Sequence, residues 1–180
     1  MLKTEHYKKN IPDFSLDKVI VAVRYDDSMQ RKIRRFKFAH NYVDRVYFES
    51  LFLLASQEYK PTGDIIVHPP ISPFDWIIRG PNHAAHLAEY FSHIYEKPLM
   101  SPFRKKAFAG HQSRRTKKER AQVRKEYLFD KKYKNLIKNK KIILVDDLIT
   151  TGYTAHTLWK LLKKAWAKEV VGYFLASEKI

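Results

Sequence analysis

The clearest pattern along the chain is an apolar run, Ile142 to Val145, closed by two acids and followed by a helical stripe. The run is mostly β-branched, which suits a strand buried on both faces of a parallel sheet. Asp146 and Asp147 stand where that strand is expected to end. Thr150, Thr151, Gly152 and Thr154 read as a turn and a helix start. Ala155, Leu158, Leu161, Leu162 and Ala165 then recur at helical spacing. Val170 to Leu175 predicts a further strand, so the unit is the strand–loop–helix–strand of a right-handed crossover.

The same alternation organises the chain upstream. Val19 to Tyr25 predicts a first strand, and Asp26-Asp27-Ser28 a turn with Ser28 as a helix cap. Gln30 to Phe38 predicts a basic helix with Ile33, Phe36 and Phe38 on its apolar side. Val43 to Tyr59 has helical spacing and is expected to pack on a sheet. Asp64 to Val67 predicts a second central strand. It runs into His68-Pro69-Pro70-Ile71-Ser72-Pro73, a loop whose prolines are expected to continue neither strand nor helix. That loop should face the same side as Asp146. Arg79-Gly80-Pro81-Asn82-His83 opens a helix reaching about Tyr95, with Asn82 as its cap.

Length and composition add bounds. The 180 residues suit one domain, and 44% hydrophobic residues supply a sizeable core. The absence of cysteine excludes disulfides, thiolate metal sites and cysteine nucleophiles within this sequence, and fits a reducing cytoplasm. Met1 to Asp17 is polar and of mixed charge, unlike a signal peptide. No apolar run approaches the roughly 20 residues that span a membrane.

Charge changes the picture more. The net charge is +16, and residues 104–141 hold 16 basic and 3 acidic residues, so nearly all the excess lies there. This basic segment points to a polyanionic partner, a phosphate-rich ligand, or a solvated lysine-rich surface. Arg114, Arg115, Lys117, Lys118 and Arg120 are its candidate nucleic-acid contacts, and each phosphate contact would make binding salt-dependent.

The candidate chemistry centres on the two acids. Adjacent carboxylates repel each other unless ribose hydroxyls, a cation or a basic neighbour uses them. Taken alone, the pair also fits a solvated turn. In open α/β sheets, however, ligands bind beyond the carboxyl ends of strands. Gly152 admits backbone angles that other residues avoid. The first N–H groups of the next helix favour an anion such as a 5′-phosphate. Neither a Gly-Lys-Thr phosphate loop nor a G-x-G-x-x-G fingerprint is present. His83 and His86 lie at i and i+3, without an acidic or sulfur partner placed beside them to complete a metal site. His68, Ser72 and Arg79 stand on the strand-end loop and its exit.

The stretch from Ile142 to Thr154 resembles the phosphoribosyl-pyrophosphate (PRPP) motif of type I phosphoribosyltransferases. Across Val19 to Ala176 the chain resembles the ComF family, the competence-type branch of that superfamily. Four further features carry the likeness, in the family's order. Tyr25 is followed by Arg31, Ile33 and Lys37; His68-Pro69-Pro70 stands at the strand-end loop. Arg79-Gly80-Pro81-Asn82-His83 leads to Leu87-Ala88, and Gln112 precedes Glu119-Arg120. Many members begin with a four-cysteine zinc finger, so this cysteine-free sequence reads as a short form. Pro81, Tyr153 and Trp166 depart from the residues usual at their positions.

The resemblance implies a type I phosphoribosyltransferase-like α/β fold, with a central, mostly parallel sheet flanked by helices, in a single domain over 1–180. It implies that Asp146 and Asp147 bind the ribose of PRPP and that Thr150, Thr151, Gly152 and Thr154 cradle its 5′-phosphate. The pyrophosphate side would involve His68, Ser72 and Arg79. Mg²⁺ would arrive with the pyrophosphate, held through ligand oxygens and water. A role in natural transformation is implied as well, with single-stranded DNA and a helicase-like partner as the alternative to transferase chemistry.

Overall fold

The computed structural model describes residues 16–39, 42–106 and 127–177. Its centre is the apolar run already noted. Lys141–Ile149 (β6) pairs in parallel with Glu169–Ser177 (β7) along its whole length. On its other side it pairs in parallel with Ile65–Val67 (β2). Lys18–Arg24 (β1) lies outside β7, and Leu99–Met100 (β3) outside β2. The order is β1-β7-β6-β2-β3, and every pairing is parallel.

A strand period of two sends alternate side chains to opposite faces. Ile142 and Leu144 join one core with Leu158 and Leu162 of the helix Tyr153–Lys164 (α6). Ile143 and Val145 join the other core with helices Asp27–Ala39 (α1), Tyr42–Glu58 (α2) and His83–Tyr95 (α4). There Phe52, Phe91 and Tyr173 meet edge to face or tilted, with Phe52 and Phe91 ring centres 5.1 Å apart. Each fully buried Ile, Leu, Val or Phe is worth about 1.5–3 kcal/mol, so these two layers hold the sheet. The structure is thus the α/β sandwich that the alternation predicts.

Three boundaries differ from expectation. The two acids do not end their strand, because β6 continues through them to Ile149 along β7. The cap of α1 is Asp26, whose Oδ1 accepts the Met29 N–H at 2.8 Å, in place of Ser28. The Pro-rich loop ends in a helix, Pro73–Arg79 (α3). Ser72 caps it and Pro73 occupies its first turn, where the missing N–H costs nothing. Phe103–Lys105 (β4) and Tyr127–Phe129 (β5) form a separate antiparallel pair, followed by the short helix Lys134–Ile137 (α5).

The loop after β2 is held from inside. His68 is buried, with Nδ1 3.0 Å from the Pro69 carbonyl oxygen and Nε2 3.0 Å from Ser101 Oγ. A neutral ring satisfies both: Nδ1–H donates to the carbonyl, and Nε2 accepts from the hydroxyl. Asn82 Nδ2 donates to the same carbonyl at 2.8 Å, while its Oδ1 caps α4 by accepting the Ala85 N–H. His68 therefore ties the loop after β2, the start of α4 and the segment after β3 together. Burial pushes the His68 imidazole below its ordinary pKa of 6.5, against a smaller opposing effect of the Pro69 carbonyl.

At the end of α6, Trp166 has φ 67°. The N–H of Ala167 reaches back to the Leu162 carbonyl and that of Trp166 to Lys163, the hydrogen-bond pattern of a left-handed helix stop. A bulky residue is strained there, and Trp166 is 65% exposed and contributes little burial.

Replacing Trp166 with Gly should therefore stabilise the fold, by about 1 kcal/mol, read as a higher urea midpoint at unchanged m. An unchanged or lower midpoint would show that the ring makes contacts that offset the strain. His68 sets a second expectation. Its folded pKa is depressed, so its contribution is complete above pH 6.5 and is lost as pH falls below that value. His68→Gln should flatten the decline in stability between about pH 6.5 and 5; parallel pH profiles for the two proteins would refute the assignment.

Candidate functional site

The cleft arises from unequal strand lengths. β2 stops at Val67, opposite Leu144, whereas β6 runs on through Asp146 and Asp147. Beyond Val67, among the described residues, the β2-facing edge of β6 has no strand beside it. A cleft of about 190 Å³ opens there, lined by Asp146, Asp147 and Thr154 on one side. The loop Pro69–Ile71, Asp75, the turn from Gly80 to Asn82, His83 and Ala84 form another wall, and Lys105 and Tyr127 close it from β4 and β5.

Both acids are partly exposed, and the Asp147 N–H donates to Asp146 Oδ1 at 2.8 Å. That bond fixes the Asp146 carboxylate against its own backbone. Next to the cleft lies a smaller pocket of about 40 Å³, formed by Leu148 to Ala155 with Asp146 and Phe174. Asp146 and Thr154 line both spaces.

The smaller pocket is built around Gly152, which is buried at φ 82° and precedes α6. The helix's own ladder starts where the His156 N–H donates to the Gly152 carbonyl at 2.9 Å. Helix geometry gives the N–H groups ahead of it no acceptor within the helix. The Tyr153 N–H turns to Thr151 Oγ1 at 3.3 Å. Thr150 and Thr151 are exposed at the mouth, so hydroxyls and helix N–H groups converge on one small space.

The structure thus brings Asp146, Asp147, Thr150, Thr151, Gly152 and Thr154 together. His68 and Ser72 lie under the strand-end loop and do not line the cleft. Ser72 Oγ donates to Asp75 Oδ2 at 2.8 Å and accepts the Asp75 N–H at 3.0 Å. The loop that they support, Pro69 to Ile71, is what meets the cleft. Arg79 is the last residue of α3, and its side chain lies outside the described residues, as do Arg114, Arg115, Lys117, Lys118 and Arg120.

The histidine pair separates. His83 faces the cleft, whereas His86 Nε2 lies 3.1 Å from Glu49 Oε1 of α2. Among the described residues no cluster of three or more His, Cys, Asp or Glu could hold a metal ion.

Sequence reasoning passed over Asp75, Lys105 and Tyr127 as cleft residues. One signal was present. Ser72-Pro73-Phe74-Asp75 has the cap, the first-turn proline and the acid three residues on that mark a helix start. Lys105 and Tyr127 carried no local signal, because only the β4–β5 pairing brings them together.

Known proteins share this arrangement of chain. Residues 82–178 match the family model described as phosphoribosyl transferase domain. Competence protein F of Haemophilus influenzae is 30% identical over 169 residues, covering 90% of this chain and 73% of that protein. Competence protein ComFC of Bacillus subtilis is 33% identical over 153 residues, covering 84% of this chain and 60% of that protein. The chain thus spans about three-fifths to three-quarters of the length of these relatives. Among solved structures, glutamine PRPP amidotransferase from B. subtilis, complexed with ADP and GMP, aligns with a TM-score of 0.50. Its identity is 19%, over 71% of this chain and 25% of that one, a likeness of fold alone. With the family model matched over more than half its length and competence protein F aligned nearly throughout, the chain belongs to the competence protein F family of phosphoribosyl transferase domains.

Proposed function

We propose that this chain binds PRPP or a closely related phosphoribosyl ligand, in a protein that serves DNA uptake during natural transformation. The observation that carries the reading is the junction of the two spaces at Asp146 and Thr154. A 5′-phosphate in the small pocket meets the Thr150, Thr151 and Thr154 hydroxyls and the helix N–H groups. The ribose then lies over Asp146 and Asp147, whose carboxylates accept from its hydroxyls. The competence names of the relatives support the setting.

Mg²⁺ fits this site as a companion of the ligand. Asp146 and Asp147 are hard oxygen donors, but two carboxylates leave most of an octahedral shell to diphosphate oxygens and water. When bound, the ion would neutralise charge on the diphosphate. In transferase chemistry at this site, the bond from the anomeric carbon to the diphosphate breaks as the bond to the incoming nucleophile forms. Positive groups then stabilise the departing charge, with Arg79, Arg114, Arg115 and Arg120 as candidates. The proposed location is the cytoplasm; among the described residues no helix is long and apolar enough to cross a membrane.

The charge of one segment, and two of its described residues at the cleft, favour a second reading. Residues 104–141 hold 16 basic and 3 acidic residues, and Lys105 and Tyr127 from this segment line the cleft. In this reading the phosphate site is retained in a non-catalytic protein that handles single-stranded DNA beside a helicase-like partner. Binding would then fall steeply with salt and weaken when Arg114, Arg115, Lys117 and Lys118 are neutralised.

PRPP with Mg²⁺ should raise the melting temperature, since a ligand of the native state stabilises it by mass action. At a ligand concentration of about 100 Kd the gain is about 2.7 kcal/mol. Asp146→Asn with Asp147→Asn should abolish the shift and leave the unliganded melting curve in place. No shift at millimolar PRPP would rule out the ligand.

A further inference from the structure

We propose that the outward face of α2 is the contact between two copies of this chain, related by a two-fold axis parallel to that helix. Nothing in it depends on what the cleft binds. A helix lying on a sheet ordinarily turns one apolar side inward and a charged side to water. α2 departs from this. Its inward side carries Phe48 and Phe52, both buried. Its outward side carries Val43, Val46, Tyr47, Ser50, Leu54 and Gln57, all exposed and none charged. Val43 is 70% exposed and Leu54 62%. Spacings of three and four residues set these six in one stripe, about 21 Å long at 1.5 Å per residue. Exposed apolar residues standing singly are ordinary, whereas a continuous stripe marks a contact surface.

The stripe is prepared for another helix. Ser50, at its middle, donates its hydroxyl to the Val46 carbonyl at 2.8 Å, so that donor is satisfied within α2 itself. Its small side chain lets a second backbone come close. Tyr47 is held from two sides. Its ring meets Phe48 edge to face with centres 5.5 Å apart, and Lys32 Nζ of α1 lies 4.1 Å from its centre. An aromatic ring fixed in this way adds contact area at little ordering cost.

The charges on the two flanks select the occupant. On the Tyr47 side runs α1, with Lys32 over the ring and Arg35 paired to Asp44 Oδ1 at 2.5 Å. Glu49 is two residues on from Tyr47, about 200° round the helix, and faces α4. There His86 Nε2 lies 3.1 Å from Glu49 Oε1, and His86 Nδ1 lies 3.9 Å from Glu89, whose side chain is 64% exposed. Arg45 pairs with Glu49 at 2.9 Å on the same side, which leaves Glu89 as the exposed carboxylate of that flank. One flank is thus basic and the other acidic. A helix of uniform charge would be repelled by one of them, whereas a second copy carries both signs. Rotation about an axis parallel to α2 keeps heights along the helix and exchanges its sides. It sets the α1 flank of each copy against the α4 flank of the other. Tyr47 and Glu49 differ by about 3 Å in height, so Lys32 of one copy comes level with the Glu49–Glu89 flank of the other. The contact is isologous, and both rims are complementary at once. The chain's positive excess lies in residues 104–141, outside these three helices.

The seam is short for a protein contact, so the dimer is expected to be weak and reversible. The test is sedimentation velocity on the full chain from about 1 to 100 μM. The average mass should rise with concentration from one chain toward two. Leu54→Lys, at an exposed position, should raise the dissociation constant at least about 10-fold and leave the melting temperature in place. Lys32→Glu and Glu89→Lys should each weaken the dimer. The two together should restore it, because the exchange recreates opposite charges at both rims. A chain that stays monomeric at about 100 μM would overturn the proposal and leave the stripe to a different protein. A dimer that survives Leu54→Lys lies on another surface and overturns it as well. A double variant that associates no more tightly than either single variant would overturn the two-fold arrangement.

Discussion

The structure depends on a mismatch between neighbouring strands. Eight of the nine residues of β6 pair with β7, but only three pair with β2. A parallel strand buried on both faces must satisfy its backbone groups on both edges. Where β2 stops, that demand passes from a strand to something else. The acids, the strand-end loop and the α4 cap all gather at this interruption. β7 meanwhile keeps β6 extended, so the carboxylates are borne on sheet backbone rather than on a loop. A site carried by a regular element holds its geometry better than one carried by a loop.

The supports around the cleft repeat one physical device, a polar side chain that closes a helix or loop terminus. Asn82 caps α4 and grips the Pro69 carbonyl with its other end. Ser72 caps α3 and orients Asp75. Gly152 opens α6 without a side-chain cap, and its buried position leaves the terminus facing a pocket. Two helix starts are thus closed by the protein's own side chains. The third offers its donors outward, which is what an anion site requires.

Much of this was legible in the residues. Ile142 to Val145 marked the buried parallel strand because a two-faced strand leaves a continuous apolar run. Thr150 to Thr154 marked the turn ahead of α6 through its hydroxyls and glycine, and Asn82 marked the start of α4. The extent of β6 was not legible. Acids in a strand read as its end, and only the partner β7 shows that it continues. The helix α3 was hidden by the prolines of the loop that leads into it, although Pro73 in a first turn is compatible with a helix. Lys105 could not be singled out among 16 basic residues of one segment, because its place depends on a pairing distant in sequence.

The latch between Asp64 and Lys141 has a kinetic meaning. Asp64 Oδ2 accepts the Lys141 N–H at 2.8 Å, across 77 positions of sequence, at the point where β2 and β6 begin side by side. The acids of β6 and the wall from Pro69 to Ala84 are brought side by side by closures of this kind. Contacts so far apart in the chain form late and carry a large loop-closure cost. The cleft therefore has no local precursor. A nascent chain lacks it until residues beyond 150 have emerged and docked, so ligand capture would coincide with completion of the sheet.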